Sequence, residues 1–98
     1  MYELRYKPPV VKYLKKIKEK GLAALFKNAL LEISADPYNA GEAKTGDLAG
    51  LHCRDIHYNK TNYEIAYQII ETDEKLVVVI LVGTRENFYN EVKRYMRT

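Results

Sequence analysis

Six consecutive residues, Val77-Val78-Val79-Ile80-Leu81-Val82, carry no polar side chain. A short, β-branched run of this kind is the signature of a strand covered on both faces, because neither side needs to meet water. The segment Lys75 to Gly83 therefore reads as the middle of a core, and the rest of the chain must supply a layer for each face. Upstream, His52 to Tyr58 and Asn62 to Glu71 read as two further strands. The polar segments Asn59-Lys60-Thr61 and Thr72-Asp73-Glu74 have hairpin length, so the three strands are expected to run antiparallel.

Successive strand side chains point to opposite faces, which sorts the outer two strands. Tyr63, Ile65, Tyr67 and Ile69 form one face, matched by Arg54, Ile56 and Tyr58. Cys53, Asp55 and His57 share the other face with Glu64, Ala66 and Gln68. If Tyr58 pairs with Tyr63, His57 stands opposite Glu64, and opposed residues interact. The pairing depends on register.

Tyr2 to Tyr6 alternates as a strand, with Tyr2, Leu4 and Tyr6 inward. Pro8-Pro9 stops it and opens a helix whose apolar stripe is Val10, Val11, Tyr13, Leu14 and Ile17, with lysines around the rest. Gly21 is expected to break that helix. A second helix, Leu22 to Ala35, places Leu22, Leu25, Phe26, Ala29, Leu30 and Ile33 on one side, completing a helical hairpin. Tyr38 to Gly50 reads as irregular, with Leu48 and Leu51 tucked onto the core. Thr84 can cap a last helix from Arg85 to Arg97, with Phe88, Val92, Tyr95 and Met96 inward.

Ninety-eight residues hold one domain, 1–98, and a composition 47% hydrophobic and 30% charged marks it as globular rather than disordered. A net charge of +3 is compatible with a polyanionic partner. The lone Cys53 excludes an intrachain disulfide and fits a reducing, cytoplasmic setting, and no signal peptide or membrane-length apolar run is visible. His52, Cys53, Asp55 and His57 are split between strand faces and lack zinc-ligand spacing, so no metal and no cofactor is expected.

The whole chain resembles the RelE/ParE superfamily of toxins from bacterial type II toxin–antitoxin pairs. The resemblance is carried by the N-terminal strand and helical hairpin and by Leu48-Ala49-Gly50-Leu51. It continues through Tyr63-Glu64-Ile65-Ala66-Tyr67-Gln68 and the ending Val82-Gly83-Thr84-Arg85-Glu86-Asn87-Phe88-Tyr89. It implies an α+β, RelE-like microbial ribonuclease fold: strand and helical hairpin packed on a mainly antiparallel four-stranded sheet, with a C-terminal helix. It also implies a cognate antitoxin as partner, with operator DNA met only through that antitoxin and no membrane. In the RelE-like branch such toxins enter the ribosomal A site and cut mRNA without a metal; the ParE-like branch blocks DNA gyrase. A degenerate toxin acting only through its antitoxin is a further alternative.

By resemblance Arg85 matches the arginine set against the scissile phosphate, and Tyr89 the tyrosine of acid–base or stacking work. The chain departs from the best-known members where they carry two lysines and an arginine. Asp55, His57 and Glu64 stand there, and Ala49 replaces a basic turn residue. Metal-free RNA cleavage needs a base for the 2′-hydroxyl, a cation for the phosphorane and an acid for the leaving 5′-oxygen. Glu64 beside His57 supplies base and acid candidates, and Arg85 a permanently charged, bidentate phosphate ligand. Lys44, Arg54 and Asp55 are candidates for holding RNA. Arg54 falls on the core face and is expected to snorkel.

Overall fold

The apolar run lies next to the edge of the sheet rather than at its middle. The computed structural model describes residues 1–86 and 88–96. Its five strands are ordered β1-β5-β4-β3-β2. They are β1 (Glu3–Tyr6), β2 (Glu42–Ala43), β3 (Leu51–Tyr58), β4 (Thr61–Glu71) and β5 (Lys75–Thr84). The N-terminal strand β1 pairs parallel with β5 and supplies its second neighbour, while all other pairings are antiparallel. The sheet is thus mainly antiparallel as expected, with one strand more. The addition is β2, two residues within the segment read as irregular, which pairs with His52 and Cys53.

Helices cover both faces. On one side lie α1 (Pro8–Lys16) and α2 (Lys20–Ala35), followed by the single turn α3 (Pro37–Ala40). Pro8 and Pro9 occupy the first turn of α1, where no amide donor is required. Leu22, Phe26, Ala29, Leu30 and Ile33 of α2 are buried at three- and four-residue spacing against Ile56, Ile65, Tyr67, Val77, Val79 and Val82. Phe26 meets Tyr13 and Tyr63 edge-on at centroid distances of 6.2 and 5.9 Å. On the opposite side α4 (Phe88–Met96) buries Phe88 and Val92 over Leu48, Leu51, Cys53, Ala66, Ile80 and Leu81. Full burial of one such side chain contributes roughly 1.5–3 kcal/mol, so each helix is held chiefly by its apolar face.

A β-bulge lets β5 serve both layers. The β4–β5 register changes between Ala66 and Tyr67, leaving Ile80 unmatched. Ile80 and Leu81 then both face α4, while Val79 and Val82 face the helical hairpin.

Several local expectations are corrected. Gly21 does not break the helix; α1 ends at Lys16, and Gly21 sits inside the first turn of α2. It packs closely there, since a Cβ would lie 2.9 Å from the Tyr58 hydroxyl and push that side chain aside. Leu25 is exposed rather than inward, as are Tyr6, Tyr95 and Met96. Leu48 and Leu51 are buried as expected. Thr84 belongs to β5 and the last helix starts at Phe88, so Arg85 precedes it. Asn87 and the expected helix end at Arg97 lie outside the described residues. Among the described residues, no helix is long and apolar enough to cross a membrane.

Candidate active site

The turn between β3 and β4 decides which polar residues meet. Asn59 and Lys60 have φ of 49° and 66°, and they alone separate the paired residues Tyr58 and Thr61. This is a two-residue turn with both φ positive, whose twist matches a right-twisted hairpin. A longer loop would have set His57 against Glu64. In the tighter turn the ladder moves by two residues, so Asp55 faces Glu64 and His57 faces Asn62. Because the change is even, every side chain keeps its face. Across the sheet, Cys53, Ala66 and Leu81 form one row, and Asp55, Glu64 and Gly83 the next. His57 and Asn62 follow, and the Asn62 carbonyl accepts the Arg85 backbone N–H at 2.9 Å.

Glu64 is the centre of this face. It is one of two buried polar residues among those described, only 2% exposed. Its Oε1 accepts from Arg85 Nε at 3.1 Å, Arg85 Nη2 at 2.9 Å and the Tyr89 hydroxyl at 3.2 Å. A buried carboxylate is tolerated only when paired and hydrogen-bonded, and here one oxygen draws both groups together. Bonding to Glu64 raises the Arg85 pKa further, so its charge is fixed. The guanidinium remains half exposed, and its Nη2 also lies 3.8 Å from Asp55 Oδ2.

Lys44 reaches the same cleft from beyond β2. Its ammonium sits 5.3 Å from the Tyr89 ring centroid and 3.6 Å from Glu42 Oε1. Burial depresses the Lys44 pKa, but the Tyr89 hydroxyl and then Glu42 outweigh it, and the net shift is upward. Burial raises the Tyr89 pKa and the Glu64 charge adds to it, so the phenol stays protonated at neutral pH. The cleft measures about 530 Å³ and is lined by Glu64, Arg85, Tyr89, Lys44, Asp55 and Cys53, among others. Burial pushes the Cys53 thiol up to about 11, leaving it un-ionised and unsuited to nucleophilic attack.

Of the residues singled out by sequence, Glu64, Arg85, Tyr89, Lys44 and Asp55 converge here. His57 stands one row further along the same face, exposed, with Nδ1 2.7 Å from Asn62 Oδ1. Arg54 also borders the cleft, yet its guanidinium turns to the hairpin side, bonding the Ala40 carbonyl and Glu32, both at 3.0 Å. Sequence reasoning missed Glu42 and Asn39, which line the cleft from β2 and α3. Neither belongs to a periodic segment, so no pattern marked them.

A sheet of one parallel and three antiparallel pairings, a helical hairpin on one face and a short helix on the other, with an Arg–Glu–Tyr cluster gathered on its central strand, defines a small α+β domain with a polar cleft. The family model for ParE-like toxins of type II bacterial toxin–antitoxin systems matches residues 4–93, and the chain belongs to that family, within the RelE/ParE superfamily. Among solved structures, the chain is similar to a mutant of the E. coli toxin RelE in the free state. The identity is 22% and the TM-score 0.73, over 98% of this chain and 96% of that one. It is also similar to a chain of the RelBE2 toxin–antitoxin complex of Mycobacterium tuberculosis, at 25% identity and a TM-score of 0.68, over 86% and 98% respectively. No curated protein matches significantly.

Proposed function

We propose that this toxin is an endoribonuclease that cuts mRNA in the ribosomal A site, without a metal, by attack of a ribose 2′-hydroxyl on the adjacent phosphate. The observation that carries this reading is the convergence of Arg85 and Tyr89 on the buried Glu64 carboxylate at the floor of a polar cleft. Burying a carboxylate costs stability unless it is paired and hydrogen-bonded, and here the pairing holds a half-exposed guanidinium against Glu64. Such a preorganised cation is what a pentavalent phosphorane requires. Lys44 adds a second positive charge beside Tyr89, whose ring offers a stacking surface for a base. The free protein presents an open site, and the ribosome supplies the orientation of the RNA that the cleft alone does not.

A cognate antitoxin completes the reading. The solved relative in a toxin–antitoxin complex supports that partner. An apolar groove of about 300 Å³ between β1, α1 and α2, lined by Leu4, Tyr6, Leu14, Phe26 and Leu31 with the cation Lys27 among them, suits an amphipathic, acidic segment. Co-expression with the adjacent reading frame should yield a tight complex, and free toxin with no binding partner would contradict it.

The competing reading is inhibition of DNA gyrase, favoured by the ParE-like family model and by the acidic residues where lysines stand in the best-known nucleases. Brief induction followed by primer extension separates the two. Cleavage within translated frames, abolished by blocking initiation, supports the nuclease; intact mRNA with gyrase-dependent DNA breaks supports the inhibitor.

A further inference from the structure

The register of the β3–β4 hairpin leaves two exposed ionisable side chains, Asp55 and His57, adjacent on the face that carries Glu64. We propose that these two carry the protons of the reaction: Asp55 accepts the proton of the 2′-hydroxyl and His57 delivers one to the departing 5′-oxygen. Glu64 is then a positioning residue for Arg85 and Tyr89. The inference rests on the RNA-cleavage reading of this site and assigns its proton carriers.

Glu64 is poorly placed to act as a base. Its side chain is 3% exposed, and Oε1 already accepts from three donors on Arg85 and Tyr89. A general base must turn a lone pair toward the substrate within hydrogen-bond reach. Asp55, directly across the ladder, is 71% exposed at its side chain and lies 3.8 Å from the same guanidinium. A phosphate held by Arg85 therefore sits beside a solvent-facing carboxylate.

His57 follows two residues along the strand, which places its Cα about 6.5–7 Å from that of Asp55. The attacking and leaving oxygens occupy opposite apices of the phosphorane, so base and acid must flank the phosphorus rather than touch each other. Two residues of one strand face provide that separation. With the Asn62 amide oxygen accepting at 2.7 Å, the ring donates from Nδ1 and keeps Nε2 for the transferable proton. Asn62 also accepts the Arg85 backbone N–H, so one residue seats both the imidazole and the phosphate ligand.

The step balances without a further reactant. The 2′-O–H proton passes to Asp55, the 2′-oxygen bonds to phosphorus, and the P–O5′ bond breaks. Its electron pair takes a proton from the His57 imidazolium, and the products are a 2′,3′-cyclic phosphate and a 5′-hydroxyl. Water then returns both side chains to their starting protonation.

The test uses programmed ribosomes carrying a synthetic mRNA with the linkage that the wild-type protein cuts, either normal or with sulfur in place of the bridging 5′-oxygen. A thiolate leaves without an acid. His57→Ala should slow the normal linkage by about 10²–10⁴-fold, the ordinary range for a general acid, and cut the sulfur linkage at close to the wild-type rate. Asp55→Asn should slow both equally with binding unchanged. Glu64→Gln, which keeps an oxygen acceptor for Arg85, should stay within about tenfold of wild type; the expected loss is far smaller than removal of a proton carrier. All four variants, Glu64→Ala included, are checked by thermal melts. The proposal is overturned if the sulfur linkage gives His57→Ala no recovery, if Asp55→Asn or His57→Ala cuts the normal linkage at full rate, or if Glu64→Gln is as impaired as Glu64→Ala. Wild-type protein that leaves both linkages intact removes the ribonuclease reading itself.

Discussion

Asp55 and Glu64 oppose each other across the β3–β4 ladder, and the single guanidinium of Arg85 reaches both carboxylates, at 3.8 Å and 2.9 Å. The two differ sharply in burial, with side chains 71% and 3% exposed. Two residues of the same chemistry thus take opposite parts. The buried one orders the cation, and the exposed one stands open to solvent beside it.

Arg85→Ala should reduce cleavage by about 10²–10³-fold, the usual loss when a preorganised charge donor to the transition state is removed. Arg85→Lys should recover only part, because an ammonium cannot reproduce the two-donor fork toward Glu64. Single-turnover rates on programmed ribosomes, with binding measured separately, decide this. A wild-type rate for Arg85→Ala would remove Arg85 from the chemistry.

The Glu64–Arg85 pair also predicts a reversal of sign in stability. In the wild-type background Glu64→Gln should lower the melting temperature, since it weakens the bonds from Arg85 and Tyr89. In an Arg85→Ala background the same change should raise it, because a buried carboxylate without its cation is worse than a neutral amide. Four melting curves form the double-mutant cycle, and strictly additive effects would show that the pair is uncoupled.

Lys60 holds a φ of 66° in the turn that sets the register. Glycine has no steric penalty there, so Lys60→Gly should stabilise the protein by about 1 kcal/mol, measured by denaturant melts. Destabilisation would argue against the two-residue turn and with it the pairing of Asp55 with Glu64.

That turn marks the limit of what the amino-acid sequence discloses. Strand identity and the assignment of Asp55, His57 and Glu64 to one face follow from period-two alternation, which survives a register change of two. Which of them are opposed depends on the turn, and Asn59-Lys60 lacks the glycine that usually announces a type I′ geometry. The segment around β2 was illegible for a different reason. Two paired residues cannot show a period, and Lys44 was recognisable as a candidate cation but not as the neighbour of Tyr89. Gly21 misled because its role is close packing against Tyr58 rather than helix termination.

Far from the site, Glu71 accepts hydrogen bonds from Tyr2 and from Tyr38, joining the segment before β1, β4 and α3. Bonding to Tyr2, then to Tyr38, holds its carboxyl below the usual glutamate range. A carboxylate with a depressed folded-state pKa contributes stability above its unfolded pKa and loses it as pH falls through the folded one. Glu71→Gln should therefore melt below wild type at neutral pH, with the gap narrowing as pH drops below about 4.5. A gap independent of pH would show that the ionised form gains nothing from the two phenols.

The most direct test of the account is a reconstituted translation reaction with purified toxin and defined mRNA, followed by analysis of the RNA ends. The account predicts a cut at the ribosome-bound codon, leaving a 2′,3′-cyclic phosphate and a 5′-hydroxyl. It also predicts undiminished activity in the presence of a chelator added below the level that disturbs ribosomes. Intact mRNA under these conditions, together with inhibition of purified gyrase by the same preparation, would contradict it.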